Sequence, residues 1–452
     1  MVCGYRAKVA ALAGLFMVMA FGLTLPGAAQ QQSVASSDSK AVTFTKDIAP
    51  ILQRTCQQCH RPDSLAPMSL ITYEETRPYA RAMKARTALS GRQGVMPPWH
   101  VEKGIGVQHY KDDISLTEEE IAKIAKWADT GAPKGNPDDM PPPVKWKDPI
   151  EWTIEPDLVV STPAVSVAAA APDWYGRLPG EIATTGLTED RYVAAVQTRE
   201  VHDNKGAPGR RTSGGLYVVH HLAFRVIGPD GELSKEPWSA HQPGQNVEFF
   251  QDRGLLLRAG SKIVFDNIHL HSNGTETTAR VEWGFKFHPK GYVPKFKIQN
   301  VGAGVYDLDI KGGEVNQRFE GFNTLTEHTR ILNFKPHMHA TGVRMCLDAI
   351  WGNTVETLTC AGYDHGWLRV YTYEDEWQPL LPKGTILRVT GYHDNAPSNK
   401  NVAEPRNWTG AGHRAIDNMM IGGVQGVYMT VDEFQSAIQK RRQQHHLAEG
   451  QC

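Results

Sequence analysis

The stretch "GLYVVHHLAFRVIG", residues 215–228, sets β-branched and aromatic residues in a short run between glycines, with two adjacent histidines near its start. Such a run reads as a β-strand. The same pattern recurs in "DLVVSTP" (157–163), "SKIVFDNIHLHSNG" (261–274), "RVEWGFKFHP" (280–289), "RILNFKPHMHATGVRMCLDAIWG" (330–352) and "TILRVTGYHDN" (385–395). Many short strands separated by Gly, Pro and Asn argue for antiparallel sandwiches or barrels. The span from residue 151 onward is long enough for two such domains, expected over residues 151–292 and 293–435.

Ahead of this region the period changes. Ile48, Ile51 and Leu52 recur at helical spacing and run into Cys56-Gln57-Gln58-Cys59-His60. Further on, Thr117 and Glu120 form a capping box, Ile121, Ile124, Ala125 and Ala128 make an apolar face, and Gly131 stops the helix. Residues 42–140 therefore read as an all-α module, and the proline run in 141–150 as a linker. Residues 436–452 read as a polar tail. The opening residues combine Arg6 and Lys8, an apolar run from Val9, and small residues at Gly27 and Ala29. They read as an export signal over 1–29, followed by a flexible lead over 30–41. A membrane association is expected only if that segment stays uncleaved.

At 452 residues, 48 Lys+Arg balance 49 Asp+Glu, so no global field recruits nucleic acid or an anionic surface. The 18 histidines shift the expectation toward metal sites, because imidazole is the commonest metal ligand. Export places the chain in an oxidising compartment, where Cys346 and Cys360 are natural disulfide partners.

Two thiols three residues apart with a histidine directly after them have the spacing of a c-type haem attachment site: Cys56 and Cys59 for the thioethers, His60 for the iron. Met96, in "GVMPPWH", is the expected second axial ligand, because Pro97 and Pro98 hold that loop extended. His100 and His109 compete for the role. A methionine ligand would raise the haem potential, as a one-electron relay requires.

The remaining candidates are His220-His221, His269-x-His271, His337-x-His339 and Met419-Met420. On a strand, residues i and i+2 share a face, so His337 and His339 can hold one metal together, as can His269 and His271. His220 and His221 point to opposite faces of an ideal strand; sharing a metal requires a local distortion. Imidazoles with a thioether, and no thiolate, favour copper, with zinc second.

Taken in order, an H-H pair, a later His, an H-x-H pair and a Met across two β-domains resemble the copper type II, ascorbate-dependent monooxygenases, the family of peptidylglycine alpha-hydroxylating and dopamine beta-monooxygenases. The resemblance spans roughly residues 150–430 and is carried by "VVHHLAF", "IHLHSNG", "KPHMHATG" and "DNMM". It implies two coppers. An electron-transfer ion would be held by His220, His221 and His269, and an oxygen-activating ion by His337, His339 and Met419, the catalytic set. His269 is preferred to His271 because the family's histidine stands five residues before a glycine, here Gly274. Met419 is preferred to Met420 because it takes the methionine position of a D-E-M stretch, here Asp417-Asn418-Met419.

The front module, with "CQQCH", "VMPPWH" and "IAKWADTGAPKG", is similar to the cytochrome c domain fused to bacterial members of that family. The fold class implied is an all-α cytochrome c-like domain followed by two antiparallel β-sandwich, jelly-roll-like domains. The implied activity is periplasmic hydroxylation of a C–H bond in a small organic or peptidyl substrate with O2. Electrons would arrive from a periplasmic donor through one covalent haem c, which gains from effective concentration. A non-catalytic electron-transfer or copper-binding protein is the alternative; zinc-dependent hydrolysis lacks a Glu beside the histidines. The loop 198–215 and the extra histidines His241, His365, His393 and His413 depart from the pattern, and no role is assigned to them.

Overall fold

The computed structural model describes residues 41–62, 64, 66–146, 151–178, 182–203, 217–238, 240–242, 247–412 and 417–446. The export signal, all but the last residue of the lead, most of the loop 198–215, His413 and Cys452 lie outside the described residues.

The first β-domain is built from two antiparallel sheets. In one, Thr277–Phe287 pairs with Arg191–His202 on one side and with Leu158–Ser161 and Val165–Val167 on the other. In the second, Lys262–Leu270 is flanked by Val219–Ile227, Trp174–Gly176 and Ile182–Thr184. Alternation turns Val193, Phe224, Phe265, Val281, Trp283 and Phe285 inward between the sheets.

The second β-domain repeats this plan. His328–Met338 pairs along its length with Met420–Met429. Facing that sheet is another of four strands, Gln317–Thr324, Ile386–His393, Gly342–Trp351 and Thr354–Gly362. Cys346 and Cys360 stand directly opposite each other in its last hairpin and are joined by a disulfide. The core of the first sandwich extends across the junction, where Phe296, Leu332, Leu380 and Val427 pack with its residues. Arg330 and Asp252 add an ion pair across the junction at 2.6 Å.

The front of the chain corrects the expected fold class. Strand outweighs helix by 37% to 16%, and residues 42–140 do not form a large all-α cytochrome c-like domain. The helices there are short: Phe44–Ile48 continuing as Ala49–Thr55, then Tyr73–Thr76, Ala80–Thr87 and Glu118–Asp129. They enclose a small core of Phe44, Ile48, Leu52, Met83, Ile124 and Trp127. Between the last two helices, about thirty residues contain none. Pro97, Pro98 and glycines at positive φ, Gly91, Gly94, Gly104 and Gly106, prevent helix formation there. That segment is instead built into the second β-domain. Glu102 N–H donates to Cys360 O, Val107 N–H to Leu358 O, and Gly362 N–H to His100 O, all at 2.9 Å. Trp99, Val101, Val107 and Tyr110 belong to that domain's core. Helical spacing in two places identified two helices; it did not establish that the residues between them are helical.

A second correction concerns the polar tail. Val431–His445 is a helix, opened by a Thr430/Glu433 capping box, with Phe434, Ile438 and Arg441 buried. Their spacing of four and three puts them on one stripe, and Arg441 donates to the Gln378 carbonyl. Among the described residues, no helix is long and apolar enough to cross a membrane.

Candidate metal centre

Strand register accounts for the adjacent histidines. Val219 stands opposite Leu270 and His221 opposite His269, so His220 is an extra residue on its strand. This bulge turns two neighbouring side chains into one cluster, which an ideal strand forbids. Just beyond, the partner strand gains an extra residue of its own at Asn267, φ +53°, and register is restored. Glu200, fully buried on the neighbouring sheet, holds the start of the bulged strand by accepting N–H bonds from Val218 (2.8 Å) and Val219 (3.1 Å).

One ligand nitrogen from each of His220, His221 and His269 lies within 4.8 Å of the other two. His220 Nε2 and His221 Nδ1 are buried with no hydrogen-bond partner among the described residues. Burial pushes His220 well below the usual imidazole range and His221 down to about 3, and neighbouring imidazoles add to both effects. Burial also lowers His269, against the opposing pull of Asp173, whose carboxylate lies 3.3 Å from His269 Nε2. Neutral imidazoles with unsatisfied buried nitrogens are a donor set that a soft or borderline cation satisfies, so these residues fit copper. His271 is near but oriented otherwise: its Nε2 donates to the Tyr217 carbonyl at 3.2 Å.

The second set lies on His328–Met338 and the chain just beyond it. Met338 opposes Met420, and His337 opposes Ile421. Met338 and Met420 are fully buried on the core face, with Met420 packed where a Cβ on Gly391 would come within 2.7 Å of its sulfur. Continued alternation puts Met419 on the face of His337, away from the core. His339 Nδ1 donates to the Asp417 carbonyl at 3.0 Å, which leaves the lone pair on Nε2. Burial lowers His337 well below its ordinary value. Two imidazoles and a thioether also suit copper, and Cu(I) in particular.

The two sets face each other at the junction of the β-domains. Ring centroids of His221 and His337 are 6.4 Å apart. Between the sets stands His365, 5.5 Å from His220, 6.4 Å from His269 and 5.9 Å from His339. Its buried Nδ1 has no partner among the described residues, and burial pushes the ring down to about 4. Sequence reasoning named His365 without a role. Standing alone after the strand Thr354–Gly362, it lacks the paired spacing that marked the other histidines. His241 and His393 lie behind the cluster, bonded to Thr198 and Thr341 at 2.8 Å.

At the proposed haem attachment end, Cys56 closes the helix Ala49–Thr55, and neither Cys56 nor Cys59 is disulfide-bonded. Burial raises both thiols, Cys56 to about 11, so they are neutral groups and not thiolate ligands. His60 Nδ1 donates to the Met68 carbonyl at 3.3 Å, leaving Nε2 as the acceptor nitrogen. This end fits covalent haem. Met96 sits in the loop after Ala80–Thr87 and lines a cavity of about 20 Å³ with Thr87, Val95, Leu116 and Ile121; Cys56, Cys59 and His60 are not among its walls. His100 is buried, its Nε2 is unpartnered among the described residues, and burial lowers it to about 4. His109 is exposed and stacked on Trp377.

Compared with known families and curated proteins, the chain matches no family model and no curated sequence.

Proposed function

We propose that the protein is an exported, haem-linked copper monooxygenase of the type its motifs resemble, hydroxylating a C–H bond of a small organic or peptidyl substrate with O2. The observation that carries this reading is the convergence of His220, His221 and His269 to within 4.8 Å, with His337 and His339 on the facing domain. His220, His221 and His269 would hold one copper, and His337, His339 and Met419 the other. Cys56, Cys59 and His60 would hold one haem c, with Met96 as the sequence-based choice of second axial ligand. Bound copper supplies O2 activation and one-electron transfer, and haem supplies electrons singly from a periplasmic donor.

The protein's own residues prepare the site. Burial keeps the imidazoles neutral, so their lone pairs are available at neutral pH. The Asp417 carbonyl fixes the tautomer of His339, and the bulge at His220 aims two adjacent rings at one point. A cavity of about 170 Å³ at the domain junction is lined by Gln242, Glu248, Asn333, Arg369 and Gln425; none of the candidate metal ligands is among its walls. The disulfide between Cys346 and Cys360 accords with an oxidising compartment.

The test is copper stoichiometry together with O2-coupled product formation in purified, reconstituted protein. Two coppers per chain are expected. Met419→Ala should weaken only the second site, whereas His220→Ala should block sustained turnover while the second site still binds a Cu(I) probe such as CO. Protein that holds no copper, or variants that both keep full O2-coupled turnover, would refute the assignment. Two bound coppers without O2-coupled oxidation of any substrate would favour the electron-carrier alternative.

A further inference from the structure

Tyr217 joins two parts of the chain that lie far apart in sequence. Its buried ring is packed by Cys59 of the haem-attachment motif and by Trp367. Its carbonyl oxygen accepts the Nε2 hydrogen of His271 at 3.2 Å, and the His271 ring lies 5.6 Å from that of His220. Trp367 belongs to the same turn as His365, held by its N–H bond to the Asp364 carbonyl at 3.0 Å. Cys56 packs against the small helical core, whereas Cys59 packs against Tyr217. From Cys59 to His220 there is thus a continuous run of side-chain contact, one residue's covalent frame, a hydrogen bond and a close ring approach.

We propose that Tyr217, with Trp367 beside it, is the contact through which a haem held at Cys59 passes electrons to a metal held by His220, His221 and His269. This rests on the function proposed above. In each transfer one electron leaves ferrous haem, which becomes ferric, and reduces one cupric ion to cuprous; no bond forms or breaks and no proton moves. A buried aromatic contact suits this step because it holds donor and acceptor at a fixed separation and keeps water out.

The experiment uses the full-length holoprotein, loaded with Cu(II) under anaerobic conditions, with haem and copper content measured first. A flash-excited flavin reduces the haem, and decay of the ferrous absorption is followed with and without copper. Copper-dependent decay is expected in the native protein. Tyr217→Leu should slow it several-fold, because the packed ring that bridges donor and acceptor is lost. Tyr217→Phe should retain the native rate, because the ring makes the contact. Trp367→Leu, a partly buried position, carries the same test should Tyr217→Leu not fold, and should also slow the decay. Haem spectrum, haem potential and copper content should be unchanged throughout, which a general structural defect would not allow. Native rates in both Leu variants, with full haem and copper, would overturn the proposal and leave the monooxygenase reading intact. Native protein that lacks haem or copper, or shows no copper-dependent decay, would overturn both.

Discussion

Glu200 should be the residue on which the first histidine set most depends, although it touches none of the three rings. Its two carboxyl oxygens accept the N–H groups of Val218 and Val219, both fully buried, immediately before the bulge at His220. Glu200→Ala would leave two buried donors without acceptors, at about 1–3 kcal/mol each, so about 4 kcal/mol in all. That is a large share of a typical domain's stability of about 5–15 kcal/mol. Glu200→Gln keeps one acceptor oxygen and should cost about half as much. In urea unfolding of the metal-free protein both losses should appear. Copper titration should show the His220, His221 and His269 site weakened while the second site is retained.

The same residue has a pH signature. Burial raises Glu200 from its ordinary value of 4.5 to about 8, overcoming the opposing effect of the two N–H bonds. A raised pKa means the folded state keeps a proton that the unfolded chain has released. The stability contribution is therefore complete below the ordinary value and lost as the pH rises through about 8. The buried histidines work in the opposite sense through and somewhat beyond their ordinary value of 6.5, so the Glu200 effect is read as a difference between the native protein and the variant. Between pH 4.5 and 8 the stability of the native protein relative to Glu200→Gln should therefore fall as the pH rises, by at most about 1.4 kcal/mol per pH unit. A Glu200→Ala protein that loses less than about 1 kcal/mol, or that binds copper at the first site as tightly as the native chain, would refute this account.

Four further outcomes are expected. Replacing Cys346 and Cys360 by Ala should cost about 3 kcal/mol in unfolding experiments, since the bond closes a separation of 14 residues; alkylation of the unreduced native protein should find both thiols blocked. Met420→Ala, in the core of the second domain, should cost about 2–5 kcal/mol without changing metal content. Met419→Ala should leave stability within about 1 kcal/mol and instead reduce Cu(I) retention, read by competition with a Cu(I) chelator. Gly362→Ala would drive a Cβ into the Gly91 carbonyl oxygen and so separate residues 91–111 from the second β-domain. Faster proteolysis within that segment, with a loss of about 1–3 kcal/mol, is the expected result.

Local chemistry and local period were legible in the chain alone. The runs 215–228, 261–274 and 330–352 carry strands at Val219–Ile227, Lys262–Leu270, His328–Met338 and Gly342–Trp351, because alternation and β-branching act within a few residues. The capping box at Thr117 and Glu120 opens the helix Glu118–Asp129 for the same reason. CxxCH and the paired histidines identified candidate ligands by residue type and spacing.

Tertiary structure decided what depends on partners distant in sequence. Whether His220 and His221 share a face is a matter of register, and one extra residue opposite His269 reversed the rule for an ideal strand. Residues 99–111, read as part of a helical domain, find their hydrogen bonds and their core in a β-domain some 250 residues later. Helix Val431–His445 gains its place by burying Phe434 and Ile438 against strands formed much earlier in the chain. His365 stands between the two histidine sets, and Tyr217 stands between Cys59 and His271, only because separate strands and loops converge at one junction. Sequence spacing determines which side chains can point together along one element; the packing of elements determines which of them meet.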